Sequence, residues 1–313
     1  MELLYELDPK DGLFAMRWSN EGIPLDTDYS VGGGVDSGYE YMLKQYLLSG
    51  DMKALKQYLK STDGVINTLL YTTPTRELLY VGSIYNGTQM HVLEHLACFL
   101  PGILALGAHA IPAPLMPDKT RELHRWAAAG LAYTCYTSYV DQKSGLGPDQ
   151  MEMTPGAKWI DSVTKWEQDG RPGGVPPGMR EVAWTRPVGP REYVGTGDPY
   201  VLRPETIESL YVMWKTTGEV KWRERGYDIF SAIERNARTR YGYACVDNLD
   251  SDYLYLINDM PSFFLAETLK YLYLLFDDTN AYPFEKWVFN TEAHPLPVFE
   301  WTPSEKKAFN ITA

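Results

Sequence analysis

A helical repeat of apolar residues, broken at intervals by glycine and proline, constrains the fold of this chain more than any other feature. Apolar side chains recur at spacings of three and four residues, which is the pattern of amphipathic helices. Glycine and proline between these runs mark turns. The pattern predicts about seven long helices, over residues 36–48, 52–59, 90–100, 120–140, 204–217, 220–239 and 261–276.

Short alternating runs lie between the helix pairs. Residues 79–85 lead into Asn86-Gly87, a dipeptide that favours tight hairpin turns, and residues 253–257 form a second run of this kind. Because the helices come in consecutive pairs, the sequence predicts an all-α fold with small β-hairpins, arranged as an (α/α) toroid.

A long segment between the second and third predicted helix pairs is rich in glycine and proline. It covers residues 145–197, and we expect one loop that covers or shapes a site. The helical pattern resumes unchanged after it, so we expect a single domain over residues 1–313.

The charge of the chain restricts its partners. The 313 residues include 29 Lys and Arg against 41 Asp and Glu, for a net charge of −12. An acidic chain without a basic run is a poor partner for nucleic acid or for an anionic membrane surface. A cation or a neutral, oxygen-rich ligand suits it better. No apolar stretch approaches the ~20 residues that cross a bilayer, so we expect no membrane contact from this chain itself.

Signals for export are mixed. Residues 1–7 include acidic side chains where a secretory signal has basic ones, so no signal peptide is expected. Two N-glycosylation sequons nevertheless begin at Asn86 and Asn310. Three cysteines allow one disulfide with one thiol left over: Cys98, Cys135 and Cys245.

Three segments carry residues suited to chemistry. Pro204 precedes Glu205, which places this carboxylate in the first turn of a helix, where the helix dipole favours the ionised form and hence a base. Phe263 and Glu267 lie four residues apart on one helix face and together offer a sugar an apolar platform and a hydroxyl acceptor. Thr291, in a proline-bounded run, has carbonyl and hydroxyl oxygens for a hard cation such as Ca²⁺.

Each of these residues also fits an ordinary structural role. Glu205 is a common kind of helix-start acid, Phe263 fits a core position, and residues 289–297 fit an Asx/Thr turn that ends a strand. Asp36, which follows the glycine run at residues 32–34, fits a helix N-cap.

The sequence lacks the motifs that are typical of several other functional sites. The glycine run has no Lys-Ser/Thr of a phosphate loop, and no strand context precedes it. His91 and His95 are four residues apart but have no third ligand for zinc. No nucleophile elbow is present, so nucleotide binding, zinc chemistry and acyl transfer are all disfavoured.

Taken together and in order, five segments resemble glycoside hydrolase family 47, the class I α-1,2-mannosidases. The first reads GGVDSGYEY and contains Asp36, the second reads HLACFLPG from His95, and the third reads YVLRPETIES and contains Glu205. The other two are residues 263–275 and 289–297. Five segments in the order of the family are a specific signal, and they cover nearly the whole chain.

The resemblance implies an (α/α)7 barrel with a Ca²⁺ ion at its floor. It further implies inverting hydrolysis of terminal α-1,2-linked mannose from high-mannose N-glycans in the secretory pathway, in the endoplasmic reticulum, in the Golgi or outside the cell. Inversion requires two carboxyl groups about 6.5–9.5 Å apart with water between them.

The roles of individual residues follow from motif position in the family. Glu205 resembles the base that activates water, Asp36 resembles a catalytic carboxylate on the other side of the sugar, and Thr291 resembles the residue that gives Ca²⁺ both its oxygens. Phe263 resembles the ring beneath the bound mannose. Substrate-binding positions of the cavity wall are implied for Glu267, Glu292, Arg203, His95 and Glu208. Cys98 and Cys135 match the disulfide of the family in order, which leaves Cys245 as the odd thiol.

The resemblance also implies that part of the family's domain lies outside these residues. An (α/α)7 barrel has fourteen helices, and the glutamate usually assigned as proton donor belongs to the half that would precede Met1. We therefore expect the C-terminal half of a mannosidase domain, either a truncated product or a half that needs a partner to supply the rest, and an assay of mannose release decides whether it is active in this form. A non-catalytic mannose-binding module, similar to the degradation-enhancing mannosidase-like proteins, is the alternative.

Overall fold

The structure, a computed structural model, describes residues 10–181, 190–197 and 199–308. Within these ranges its α-helices are α1 Asp36–Ser49, α2 Met52–Thr68, α3 Leu100–Ala110, α4 Asp118–Val140, α5 Trp159–Gln168, α6 Glu205–Thr217, α7 Lys221–Asn236, α8 Leu269–Phe276 and α9 Pro303–Ala308. The strands are β1 Leu70–Thr72, β2 Leu79–Val81, β3 Ser83–Tyr85, β4 Thr88–Met90, β5 Val92–Glu94, β6 Gln150–Met153, β7 Tyr193–Gly195, β8 Cys245–Asp247, β9 Tyr255–Ile257, β10 Trp287–Phe289 and β11 Pro295–Pro297. Among the described helices, none is both long and apolar enough to span a bilayer.

The helices form two layers, as the paired pattern predicts. In the inner layer α1, α3, α6 and α8 contact one another in that order. In the outer layer α2 packs on α1, α4 packs on α3, and α7 packs on α6. Alternation of an inner and an outer helix is the architecture of an (α/α) toroid. The predicted all-α fold with small β-hairpins is therefore confirmed.

Helix α3 lies at the centre of the inner layer, and the prediction for its surroundings is wrong. Residues 90–100 are predicted to be a helix that stops at Pro101, but they hold β5 and a 3₁₀ turn, His95–Phe99. Pro101 instead lies in the first turn of α3, where its missing N–H leaves no hydrogen bond unmade. The residues from Leu100 to Ala108 are all buried, because α3 is enclosed on every side.

A three-stranded sheet replaces part of the predicted loop over residues 145–197. That segment contains β6, α5 and β7, while its residues 182–189 and 198 lie outside the described part of the chain. Strand β6 pairs antiparallel with β5 and with β7. Just before β6, the carbonyl of Asp149 accepts the backbone N–H of His95 at 2.8 Å. The sheet thus anchors the segment beside the 3₁₀ turn.

The predicted hairpins are present. Strands β3 and β4 pair around Asn86 and Gly87, whose φ angles of 49° and 74° suit a tight turn with two left-handed residues. The run at residues 253–257 contains β9, which pairs with β8. A further hairpin of β10 and β11 holds between its strands the turn that carries Thr291.

One disulfide joins the two helix layers. Cys98, in the 3₁₀ turn, is bonded to Cys135 of α4, with 6.0 Å between the Cα atoms. The pairing that the family resemblance implies is therefore confirmed. Cys245 is a buried free thiol, and burial raises its pKa to about 11.

Candidate active site

One cavity of about 610 Å³ collects most of the predicted site residues. It lies among the N-terminal ends of α1 and α6, the 3₁₀ turn, the helical segment before α8 and the turn between β10 and β11. Its lining is dominated by carboxyl groups, those of Asp36, Glu40, Glu205, Glu208, Glu267 and Glu292. The other predicted residues on its wall are Arg203, Phe263 and Thr291.

Glu205 is the first residue of α6, and Pro204 occupies the N-cap position before it. The helix dipole favours an ionised carboxylate at this place. Its Oε2 atom lies 2.8 Å from Nδ1 of His95. His95 is only 2% exposed and does not itself line the cavity. It therefore reaches the cavity through Glu205 instead of forming the wall.

Asp36 begins α1 on another side of the same cavity. Val35 occupies the N-cap position and no side chain caps this helix end, so the interpretation of Asp36 as an N-cap is wrong. Burial raises the pKa of Asp36, and the charges of Glu205 and Glu40 add to this, although the backbone N–H of Ser37 lowers it. Asp36 thus keeps its proton to higher pH than an ordinary aspartate, which suits a proton donor.

The glycine run before α1 lies against Glu94, the last residue of β5. The backbone N–H of Gly33 donates to the Glu94 carboxylate at 2.9 Å. A Cβ atom at Gly32 would come within 2.4 Å of the same carboxylate, so a larger residue there would have to displace the Glu94 side chain. This close approach ties the start of α1, and hence Asp36, to the sheet.

A buried ion-pair cluster lies beneath the cavity. The Lys44 ammonium pairs with Glu40 on the same helix and lies 3.5 Å from Oε1 of Glu208. The hydroxyl of Tyr271 donates to that same oxygen at 3.1 Å. Burial raises the pKa of Glu208 to about 7, although the charge of Lys44 opposes the rise. One ammonium group thus lies beside two carboxyl groups, so the floor of the cavity has more acidic than basic groups.

Glu267 and Glu292 form a close pair of carboxyl groups. Glu267 lies in a π-helical segment, Phe264–Thr268, that runs into α8. Burial raises its pKa to about 8, and the charges of Glu292, Glu208 and Glu205 contribute to the rise. A cation at this place would offset the repulsion between these carboxyl groups.

Arg203 and Phe263 form the mixed polar and aromatic part of the wall. The Arg203 guanidinium pairs with the carboxylate of Asp149, with Nη2 3.4 Å from Oδ2. Its central carbon lies 5.8 Å from the centroid of the Phe263 ring. An aromatic ring at the wall of a polar pocket, with hydrogen-bonding groups around it, is an arrangement that can hold a sugar.

Thr291 is the residue that the sequence predicts as a Ca²⁺ ligand. Its N–H donates to the hydroxyl of Tyr41 at 3.1 Å, which fixes the turn against α1. Within the described residues, no three His, Cys, Asp or Glu side chains form a metal-binding group. Ca²⁺ also accepts carbonyl, hydroxyl and water oxygens, and a threonine supplies the first two. Because Glu267 and Glu292 bring two carboxyl groups to the cavity beside Thr291, the residues present fit a cation there.

Four residues around the cavity were not expected from the sequence: Glu40, Lys44, Tyr139 and Asp149. The first two stand four residues apart on α1, a spacing that indicates an ion pair. Asp149 meets Arg203 across 54 residues and Tyr139 meets His95 across 44 residues, so no local pattern could reveal either contact.

Comparisons with known proteins identify the family. The family model for glycosyl hydrolase family 47 matches residues 1–298. The chain is 36% identical over 274 residues to human mannosyl-oligosaccharide 1,2-alpha-mannosidase IC, a match that covers 86% of this chain and 37% of that protein. It is 35% identical over 305 residues to the human endoplasmic reticulum mannosyl-oligosaccharide 1,2-alpha-mannosidase, covering 94% of this chain and 38% of that protein.

A solved structure agrees with these matches. The alpha-1,2-mannosidase from Trichoderma reesei superposes with a TM-score of 0.76 at 27% identity, over 95% of this chain and 60% of that chain. The chain thus spans less than two fifths of the length of the two human relatives, at 37% and 38%. The match to the family model, the relatives and the common fold lead to one conclusion: this chain belongs to glycosyl hydrolase family 47.

Proposed function

We propose that this chain hydrolyses terminal α-1,2-linked mannose from high-mannose N-glycans of the secretory pathway, with inversion at the anomeric carbon and with Ca²⁺ as cofactor. The observation that carries the proposal is the presence of Asp36 and Glu205 on one acidic cavity, beside the ring of Phe263. An inverting glycosidase uses two carboxyl groups on opposite sides of the scissile bond, one as acid and one as base. The names of the relatives support α-1,2-linked mannose as the substrate.

Glu205 acts as the base in this proposal. Its carboxylate lies in the first turn of α6, at the positive end of the helix dipole, and 2.8 Å from Nδ1 of His95. The carboxylate accepts a proton from water as the oxygen of that water attacks the anomeric carbon. General base catalysis of this kind contributes about 10²–10⁴-fold to the rate.

Asp36 acts as the acid. Burial and nearby carboxylates raise its pKa, which is the direction that favours a proton donor. As the bond between the anomeric carbon and the glycosidic oxygen breaks, that oxygen takes the proton of Asp36. The family resemblance assigns this task to a glutamate, and in this proposal Asp36 takes it over.

The remaining lining residues hold the sugar. Phe263 provides an apolar surface for the ring, and Arg203 and Glu267 provide a hydrogen-bond donor and an acceptor for its hydroxyl groups. Thr291 would hold Ca²⁺ through its carbonyl and hydroxyl oxygens, with Glu292 and Glu208 as neighbouring negative charges. When bound, the ion supplies positive charge that orients oxygen atoms of the substrate.

Calcium-dependent release of mannose tests the proposal. The purified chain is incubated with a high-mannose oligosaccharide that carries terminal α-1,2-linked mannose, and free mannose is measured with Ca²⁺, with EDTA, and with Ca²⁺ restored. We expect release that EDTA abolishes and Ca²⁺ recovers. An oligosaccharide with only α-1,3 and α-1,6 termini should release none. Binding of the oligosaccharide without release would contradict hydrolysis and support the mannose-binding alternative.

A matched pair of variants assigns the activity to the cavity. Glu205→Gln removes the proposed base at the start of α6, and we expect release to fall about 10²–10⁴-fold. Glu224→Gln removes an exposed glutamate from the first turn of α7, the outer neighbour of α6. We expect that variant to keep the activity, because Glu224 lies away from the cavity. An equal loss in both variants would argue against Glu205 as base.

A further inference from the structure

A buried chain of hydrogen bonds continues behind Glu205. Nδ1 of His95 lies 2.8 Å from the Glu205 carboxylate, and Nε2 of the same ring lies 2.7 Å from the hydroxyl of Tyr139 on α4. The hydroxyl of Thr206 is 3.0 Å from Nε2. His95 is 2% exposed, Tyr139 is 0% exposed and Thr206 is 1% exposed. Water therefore does not compete for these contacts, and the protein itself determines where the protons lie.

The proton arrangement follows from what each group can do. An ionised carboxylate only accepts hydrogen bonds, so Nδ1 of His95 must carry the proton that Glu205 receives. A neutral imidazole then has a lone pair on Nε2, and this atom must accept a hydrogen bond. Tyr139 is the nearer of the two hydroxyl groups that can donate to it. The opposite tautomer would set a nitrogen lone pair against the oxygen lone pairs of Glu205.

The disulfide supports the contact between His95 and Tyr139, because it links the same two elements. Cys135 and Tyr139 are four residues apart on α4 and share one helix face. His95 and Cys98 are three residues apart in the 3₁₀ turn, and such residues eclipse one another. The covalent bond between Cys98 and Cys135 therefore runs parallel to the hydrogen bond between His95 and Tyr139. Two links join the turn to the same face of α4.

We propose that Tyr139 is a positioning residue of the base: its hydroxyl group donates to Nε2 of His95, holds His95 in the tautomer with the proton on Nδ1, and so directs an N–H group at Glu205. Thr206 assists as the weaker donor. The inference rests on the proposed function only because it gives Glu205 the role of base. A purely structural role for Tyr139 would require the buried ring but not its hydroxyl proton.

The test is ¹⁵N NMR of the histidine side chains, which needs no catalytic activity. The chain has five histidines, and a His95→Gln sample identifies the signals of His95. Protonated and unprotonated ring nitrogens resonate in separate regions, so the spectrum gives the ratio of the two tautomers. It is recorded for the wild-type chain, Tyr139→Phe, Thr206→Val and the double variant.

Tyr80→Phe is the matched control. Tyr80 is also 0% exposed, and its hydroxyl also lies 2.7 Å from a histidine nitrogen, Nδ1 of His91. Neither residue lines the cavity. This variant therefore removes the same buried group and the same kind of hydrogen bond elsewhere in the fold. It should alter the signals of His91 and leave those of His95 unchanged.

The expected result is a wild-type His95 with its proton on Nδ1, and a tautomer ratio about tenfold less biased in Tyr139→Phe, since one hydrogen bond is lost. The double variant should change the ratio further than Thr206→Val alone. A wild-type His95 with its proton on Nε2, or on both nitrogens, overturns the proposal. A ratio that does not change in Tyr139→Phe overturns it as well, and a change confined to variants of Thr206 assigns the role to that residue instead.

Kinetics separate this inference from the proposed function. If the chain releases mannose, Tyr139→Phe should lower kcat about tenfold with little change in KM, because the sugar does not touch Tyr139, and Tyr80→Phe should keep the wild-type value. If the chain releases no mannose, the proposed function fails while the NMR result still decides the role of Tyr139.

Discussion

Replacing Glu267 with glutamine tests whether the cavity carries the excess negative charge that a cation site requires. Glu267 is 8% exposed, and its pKa is about 8 instead of 4.5, because of burial and of nearby carboxylates such as Glu292. Between these pH values the folded protein holds a proton that the unfolded chain releases. Since the unfolded state binds fewer protons, stability must fall as pH rises through this window.

The magnitude follows from the two pKa values. At about 1.4 kcal/mol per pKa unit, the difference between 4.5 and about 8 corresponds to about 5 kcal/mol of unfolding free energy. Water in the cavity screens the charge, so we expect the metal-free protein to lose about 2–5 kcal/mol between pH 5 and pH 9. A glutamine does not ionise as the pH rises, so the Glu267→Gln variant should lose less unfolding free energy over this pH range than the wild-type chain. Ca²⁺ should reduce the loss in the wild-type chain, because a cation favours ionised carboxylates.

Urea unfolding in EDTA at a series of pH values measures this effect, with the fluorescence of the nine tryptophans as the signal. Glu192→Gln is a control of opposite sign. Burial raises the pKa of Glu192, but hydrogen bonds from Thr73 and from the backbone of Arg76 and Thr75 lower it overall, so its contribution to stability is lost in acid. If the unfolding free energies of the wild-type chain and of Glu267→Gln depend on pH in the same way, the cavity does not carry the excess of negative charge.

Three further predictions concern the sugar platform, the disulfide and the surface. Phe263→Ala should lower kcat/KM for mannose release about tenfold, mainly through KM, because the variant loses an apolar contact with the sugar; unchanged kinetics would remove Phe263 from the site. The double variant Cys98→Ala/Cys135→Ala should lose about 2–5 kcal/mol of unfolding free energy in urea, since the disulfide spans 37 residues; equal midpoints with and without the disulfide would contradict this. Expressed with a secretory leader in a eukaryotic host, the chain should carry an N-glycan on Asn86, which is exposed at a hairpin tip; a mass that glycosidase treatment does not change would exclude it.

Local patterns predicted the helices and the ordered motifs well. The spacing of apolar residues is set by burial of one helix face, so α1, α4, α6 and α7 could be placed from the sequence. The prediction of helix boundaries failed where one residue type is compatible with two different local structures. Proline ends some helices and starts others. For Pro101 the choice depends on the 3₁₀ turn before it, which α6 stabilises: the hydroxyl of Ser209 donates to the carbonyl of Cys98.

The candidate site could be predicted only in part. Asp36, Glu205 and Thr291 stand in recognisable motifs, and their presence on one cavity was expected from the family resemblance. The residues that hold them in place were not expected, because they act across the fold. Tyr139 is one aromatic residue among many in an amphipathic helix, and its hydrogen bond to His95 becomes visible only once the 3₁₀ turn lies on α4. Contacts of this range leave no spacing in the sequence.

The configuration of the first mannose released tests the central claim most directly. Proton NMR follows the reaction of the chain with an α-1,2-linked mannose oligosaccharide in Ca²⁺, before the anomers equilibrate in water. With Glu205 as base and Asp36 as acid on opposite sides of the sugar, β-mannose must appear first, and Glu205→Gln must release about 10²–10⁴-fold less. Release of α-mannose first, or no release from the wild-type chain, would contradict the account.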